Sequence, residues 1–171
     1  MKVDFKEKFI PQSVLNPSQT LVNLLKEKGL TVSTAESFTG GKIASSITSI
    51  SGSSSVFFEG VVAYNEKAKI ERLGVKQETL KNCKPVSYEV ALEMANGLIN
   101  SGNCDLAIST TGIAGPNSDD SGFPVGLCFI GINFKGNITV YKYTLNGDRQ
   151  QIVSQGVDLA LQLAINKLNN I

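Results

Sequence analysis

A three-layer α/β/α single domain with a mixed sheet is the fold class that the sequence predicts, and three observations lead to it. From Pro17 onward, segments with helical spacing alternate with short β-rich runs, the order expected where helices cross over between strands. Two later β-rich runs, Pro124 to Phe134 and Asn137 to Leu145, are separated only by Lys135-Gly136, which implies an antiparallel hairpin within a sheet otherwise built by crossovers. A chain of 171 residues, 42% hydrophobic and 18% charged, has the size and composition of one core.

Residues 1–16 read as an irregular N-terminal arm and residues 17–171 as the domain. Asn16-Pro17-Ser18 opens a helix, because proline suits the first turn; Leu21, Leu24 and Leu25 continue it at helical spacing and Gly29 stops it. Leu30 to Thr34 reads as a strand, Gly40-Gly41 as a tight turn, and Ile43, Ala44 and Ile47 as one face of a helix. Val56 to Tyr64 is a second strand, with a bulge or bend expected at Glu59-Gly60. Asn65 to Leu73 is a helix stopped by Gly74, Gln77 to Asn82 a short helical turn, and Ser87 to Ser101 a long amphipathic helix capped by Ser87. Asp105 to Thr111 is an apolar strand that runs into Gly112-Ile113-Ala114-Gly115-Pro116, and Asn117 to Gly122 is a loop of turn formers. Beyond the hairpin, Asp148 opens a final helix that reaches about Leu168.

Composition narrows the chemistry. Sixteen basic and fifteen acidic residues leave a net charge of +1, and the lysines are scattered, so no nucleic-acid partner is expected. No apolar run is long enough to span a bilayer and the first ten residues lack the apolar centre of a signal peptide; no membrane partner and a cytoplasmic location are expected. Cys83, Cys104 and Cys128 are odd in number and never in a C-x-x-C pair, which argues against a disulfide framework and a zinc site; neither a metal nor another cofactor is expected. Closed dimers are the commonest assemblies of soluble chains, so a homodimer or higher homo-oligomer is expected. Histidine is absent altogether. Ser-His-Asp and Cys-His catalysis are therefore excluded, and proton transfer must use Lys, Tyr, Asp, Glu or a terminal amine.

Two strands end in small-residue turns, Glu36-Ser37-Phe38-Thr39-Gly40-Gly41 and Thr110-Thr111-Gly112-Ile113-Ala114-Gly115-Pro116. In open α/β sheets ligands bind beyond the carboxyl ends of strands, where helix N-termini present free N–H groups to a phosphate or an oxyanion. On residues alone Ser37 has two readings, a helix N-cap before Gly-Gly or a nucleophile among the polar residues Glu36 and Thr39. Without histidine the nucleophile needs a lysine or tyrosine. Tyr64 and Lys69 leave the second strand at the same sheet edge, although Lys69 also fits a solvated helix position and Lys67 faces a different side of that helix. Asp148 reads as a cap, while Arg149 beside free helix N–H groups makes a bidentate partner for phosphate.

Seven ordered elements carry a resemblance that covers about Pro17 to Leu168. Thr34-Ala35-Glu36-Ser37-Phe38-Thr39-Gly40-Gly41, Gly52-Ser53-Ser54, Tyr64 with Ala68-Lys69, Leu73-Gly74-Val75, Gly112-Ile113-Ala114-Gly115-Pro116, Pro124-Val125-Gly126 and Gly147-Asp148-Arg149 together resemble the C-terminal domain family of the CinA competence/damage-inducible proteins. That family includes stand-alone nicotinamide-nucleotide amidohydrolases. The resemblance implies hydrolysis of the carboxamide of nicotinamide mononucleotide to nicotinic acid mononucleotide and ammonia, a step of pyridine-nucleotide recycling. It implies catalytic roles for Ser37, Tyr64 and Lys69, with Glu36, Thr39, Gly40, Gly41, Thr111, Gly112 and Arg149 around the nucleotide. The backbone of Gly40-Gly41 or of Thr111-Gly112 would supply oxyanion donors. Ser37 would attack directly or position a water.

The chain also departs from the family pattern. Phe38 replaces a cysteine, Asn65-Glu66-Lys67 replaces Ser-Asn-Glu, the 117–122 loop lacks a pair of glycines, and Phe123 stands where a lysine is common. Many relatives carry a large N-terminal domain linked to ADP-ribose pyrophosphatase activity, and that activity is not expected of these residues. The altered loop favours the alternative function, a catalytically silent nucleotide-binding module or an interaction module linked to competence and recombination.

Overall fold

The computed structural model describes residues 2–7, 9–118 and 122–171. Along the chain the elements are β1 (Lys2–Glu7), α1 (Pro17–Lys28), β2 (Val32–Glu36), α2 (Lys42–Thr48), β3 (Phe57–Val62), α3 (Glu66–Leu73), α4 (Gln77–Cys83), α5 (Tyr88–Asn100), β4 (Leu106–Gly112), β5 (Leu127–Phe134), β6 (Asn137–Thr144) and α6 (Arg149–Asn169). Local chemistry sets most boundaries. The Asn16 side chain accepts from Gln19 N ahead of Pro17, Ser87 caps α5 through Val90 N, and Asp148 with Gln151 closes a capping box on α6. Gly29 and Gly74 end α1 and α3 in the left-handed conformation.

The sheet order is β1-β6-β5-β4-β2-β3. β2 pairs in parallel with both β3 and β4, β4, β5 and β6 pair antiparallel, and β1 runs parallel to β6, so the sheet is mixed. One apolar layer, including Leu25, Ile47, Ile108 and Leu163, lies beneath α1, α2 and α6; the other, including Met94, Ala107 and Val140, lies beneath the opposite helices. This is the expected α/β domain with helices on both faces. Lys135 (φ 48°) and Gly136 (φ 87°) take the paired positive angles of a type I′ hairpin turn.

Two expectations are corrected. The irregular arm over residues 1–16 contains the strand β1, which pairs through all six of its residues. Its charged alternation hides it: Lys2, Asp4 and Lys6 take one face of an edge strand, and Phe5, on the other, meets the Tyr88 ring edge-on at 5.1 Å. The bulge lies opposite Val32/Ser33, where Phe58 is the extra residue, one position before Glu59-Gly60. Gly60 serves close packing instead, since a Cβ there would stand 2.8 Å from Ala44 Cβ on α2. The expected 117–122 loop lies partly outside the described residues. No described helix is long and apolar enough to cross a membrane.

Candidate active site

β2 ends at Glu36 and β4 at Gly112, side by side in the sheet, and the chain beyond each strand builds the site. Glu36 is 1% exposed and its carboxylate faces the start of α2. Oε2 accepts from Gly41 N (3.0 Å) and Ile43 N (3.0 Å), and Oε1 from Ala44 N (2.8 Å) and Thr34 Oγ1 (3.3 Å). The free N–H groups of α2 are thus capped by an acid from the preceding strand, and the N-cap residue Gly41 has no side chain to contribute. Ser37 is released from the capping role. It is 8% exposed, and its own N–H donates to Thr110 O at 3.0 Å, which fixes it against β4.

Lys69 enters the same space from α3. It is 2% exposed, and its Nζ lies 3.1 Å from Ser37 Oγ, 2.8 Å from Ala63 O and 3.4 Å from Tyr64 O. Burial lowers its pKa to about 8 from 10.5, against an opposing pull from Glu66. The geometry supplies a reason why this matters. A neutral amine keeps two hydrogens; the two carbonyls accept both, and the lone pair is left on the side of Ser37 Oγ. Lys67 is highly exposed and pairs with Glu71 at 3.6 Å along the same helix.

Tyr64 is 59% exposed. Its backbone carbonyl reaches Lys69, while its hydroxyl accepts from Arg149 Nη2 at 2.8 Å; among the described residues no hydrogen bond joins that hydroxyl to Ser37. Arg149 Nη1 donates to Gly115 O at 2.6 Å, so the first residue of α6 ties the loop after β4 to the exit of β3. These groups surround a cavity of about 250 Å³, lined by Ser37, Phe38, Tyr64, Lys69, Pro85, Val86, Thr111, Gly112, Ala114 and Arg149.

The remaining sequence-predicted residues separate into two groups. Thr111 and Gly112 line the cavity; Glu36, Thr39, Gly40 and Gly41 do not. Thr39 Oγ1 is 2.8 Å from Thr110 Oγ1, Gly40 N donates to Ser37 O, and Gly41 N donates to Glu36, so that loop shapes the turn and offers no free donor at Gly40 or Gly41. Thr111 Oγ1 donates to Pro85 O at 2.7 Å and holds the α4–α5 loop over the cavity. Gly112 differs. Ile113 N donates to Leu127 O on β5 and Thr110 O accepts from Ser37 N, so strand alternation directs the N–H of Gly112 to the Ser37 side, beyond the end of β2.

Phe38, Pro85, Val86 and Ala114 were missed as lining residues. Nothing in the order of elements brings Pro85 back to this sheet edge, but Gly156 inside α6 is a signal for close approach, and what approaches it is Phe38. Cys83, Cys104 and Cys128 are unpaired thiols away from the cavity lining, and burial pushes Cys128 up to about 12. Among the described residues no group of three or more His, Cys, Asp or Glu converges as a metal site would require.

Residues 15–168 match the family model of the CinA C-terminal domain. A CinA-like protein of Kosmotoga olearia is 48% identical over 143 residues, and a putative competence-damage inducible protein of Caldicellulosiruptor saccharolyticus is 44% identical over 145 residues. The matched segments cover 84% and 85% of this chain and 35% of each relative, so the chain spans about a third of these curated relatives. Among solved structures, a CinA superfamily protein of Klebsiella pneumoniae superposes with a TM-score of 0.88 at 30% identity, covering 91% of this chain and 97% of that one. The competence/damage inducible protein CihA of Agrobacterium tumefaciens gives 0.85 at 35% identity, covering 94% and 99%. From the fold, the ordered motifs and these matches, the chain belongs to the CinA C-terminal domain family.

Proposed function

We propose that this protein hydrolyses the carboxamide of nicotinamide mononucleotide to nicotinic acid mononucleotide and ammonia, with Ser37 as nucleophile and Lys69 as its base. One observation carries the reading: Lys69 Nζ, buried with a lowered pKa, has two carbonyl acceptors for its hydrogens and faces Ser37 Oγ at 3.1 Å. The family's stand-alone amidohydrolases supply the substrate by resemblance.

In the reaction Ser37 Oγ attacks the carboxamide carbon as its proton passes to Lys69 Nζ. The carbonyl oxygen becomes an oxyanion, and Gly112 N–H donates to it. Lys69 returns the proton to the departing nitrogen, ammonia leaves, and an acyl ester remains on Ser37. Water, deprotonated by Lys69, then cleaves that ester to release the carboxylate and restore both side chains. Arg149 takes the anionic end of the nucleotide, and Tyr64 fixes the guanidinium through its hydroxyl. Cavities that enclose drug-sized ligands run from roughly 300 Å³ upward. A space of about 250 Å³ suits the amide-bearing ring, with the ribose phosphate extending to Arg149.

The test is product analysis with nicotinamide mononucleotide, beside binding of the same nucleotide by calorimetry. Stoichiometric ammonia and nicotinic acid mononucleotide from the wild type, and none from Ser37→Ala, support the reading. Saturable binding without product at any pH assigns the protein to the silent binding class instead.

A further inference from the structure

Phe38 follows Ser37 directly, and its ring is 4% exposed between the end of β4 and the N-terminal half of α6. A Cβ on Gly112 would stand 3.0 Å from Phe38 Cδ1, and a Cβ on Gly156 would stand 2.5 Å from Cζ and 2.7 Å from Cε2. Both approaches exist because both neighbours lack a side chain. Ala114, Cys128, Leu145, Ile152 and Val153 complete the cluster around the ring, so it cannot turn away from either glycine. A glycine within a 21-residue helix is unfavourable on backbone grounds, and here the ring explains it.

Position within α6 gives the contact a consequence. Gly156 lies two helical turns after Arg149, so the two residues share one face of the helix. On the other side of the ring, Gly112 presents its N–H beside Ser37. The aromatic ring therefore separates the wall that carries the reacting groups from the helix that carries the cation.

We propose that Phe38 is a positioning residue whose ring, held between Gly112 and Gly156, sets the span from the Ser37–Gly112 wall to Arg149 and so selects amides whose anionic group lies at that distance. The proposal rests on the hydrolase reading and adds its length selectivity. A substrate that touches both walls registers the thickness of the ring. A reagent that touches only Ser37 does not.

The experiment uses Gly156→Ala, which thickens the separation, Phe38→Leu, which thins it, and the double variant. Two reactions are followed: turnover of nicotinamide mononucleotide, and covalent labelling of Ser37 by a small uncharged sulfonyl fluoride. Each single variant is expected to lower kcat/KM for the nucleotide by about tenfold to a hundredfold, as ångström-scale misplacement does, while labelling stays within about twofold. The double variant is expected to recover most of the loss. Parallel losses in turnover and labelling, or a double variant no better than the worse single one, would overturn the proposal. Absence of nucleotide turnover in the wild type refutes the hydrolase reading, and crystal structures then decide the spacer separately. The Arg149 Nη2 to Tyr64 Oη contact of 2.8 Å is expected to break in Gly156→Ala and return in the double variant; its persistence in every variant overturns the spacer.

Discussion

Lys69 Nζ and Ser37 Oγ stand 3.1 Å apart inside a cavity wall, joined across 32 residues of sequence by the exit of β2 and the first turns of α3. Two main-chain carbonyls hold the amine from behind, so its direction does not depend on a further side chain. In a chain without histidine, the proposed hydrolysis would draw from this pair what an imidazole provides elsewhere, a base aimed at a hydroxyl.

Removing either member is expected to lower turnover steeply. Lys69→Arg is the sharper variant, because a guanidinium keeps its charge at working pH and has no lone pair to accept the serine proton. A loss of about 10²-fold to 10⁴-fold in kcat, the usual range for a general base, is expected in steady-state assays, with nucleotide affinity by calorimetry changed far less.

Tyr64 is expected to matter through Arg149. Tyr64→Phe removes one neutral acceptor at an exposed position, so a decrease of only a few fold in kcat/KM is expected. Arg149→Ala should raise KM for the nucleotide by about tenfold or more, the worth of a charge-assisted contact of roughly 1.5–3 kcal/mol. A Tyr64→Phe loss as large as that of Lys69→Arg would make the phenol a proton-transfer group.

Glu36 is expected to be a folding residue. The N–H groups of the N-cap Gly41 and of Ile43 and Ala44 in α2 donate to its buried carboxylate, and alanine would leave them unsatisfied, at a cost of about 2–4 kcal/mol in denaturant unfolding. Glu36→Gln should recover little, since an amide presents donors where the helix also presents donors. A variant of full stability with a raised KM would return Glu36 to the substrate.

Lys69 also has a stability signature. Its folded pKa of about 8 lies below the unfolded value near 10.5, so the native state disfavours the bound proton. The destabilisation is complete below about pH 8 and is relieved as pH rises toward 10.5; the gap corresponds to on the order of 3 kcal/mol. The stability difference between the wild type and Lys69→Met, measured by denaturant unfolding, should therefore move in favour of the wild type between about pH 8 and pH 10. A difference constant across that window would mean that Lys69 titrates normally.

Much of this was legible in the sequence because local chemistry marks it. Asn16-Pro17, Ser87 and Asp148 announce helix starts and Gly29 and Gly74 announce ends. The absence of histidine leaves lysine or tyrosine as candidates beside Ser37, of which Lys69 lies next to it while the Tyr64 hydroxyl accepts from Arg149. What was hidden depends on contacts distant in sequence. Strand β1 is charged at every other residue and is recognised only when β6 lies beside it. Helical spacing places Lys67 and Lys69 on different sides of α3, but only packing shows that the Lys69 side faces inward. Glu36 looked like a substrate contact because its capping role involves helix N–H groups five to eight residues ahead. Pro85 and Val86 reach the cavity through a loop that Thr111 holds, which no residue pattern announces.

The pH dependence of kcat/KM for nicotinamide mononucleotide tests the Ser37–Lys69 assignment most directly. The rate is expected to rise about tenfold per pH unit on the acid side and to level above an apparent pKa of about 8, with this titration absent from the residual activity of Lys69→Arg. A wild-type profile flat from about pH 6 to pH 9, or the same titration persisting in Lys69→Arg, would contradict it.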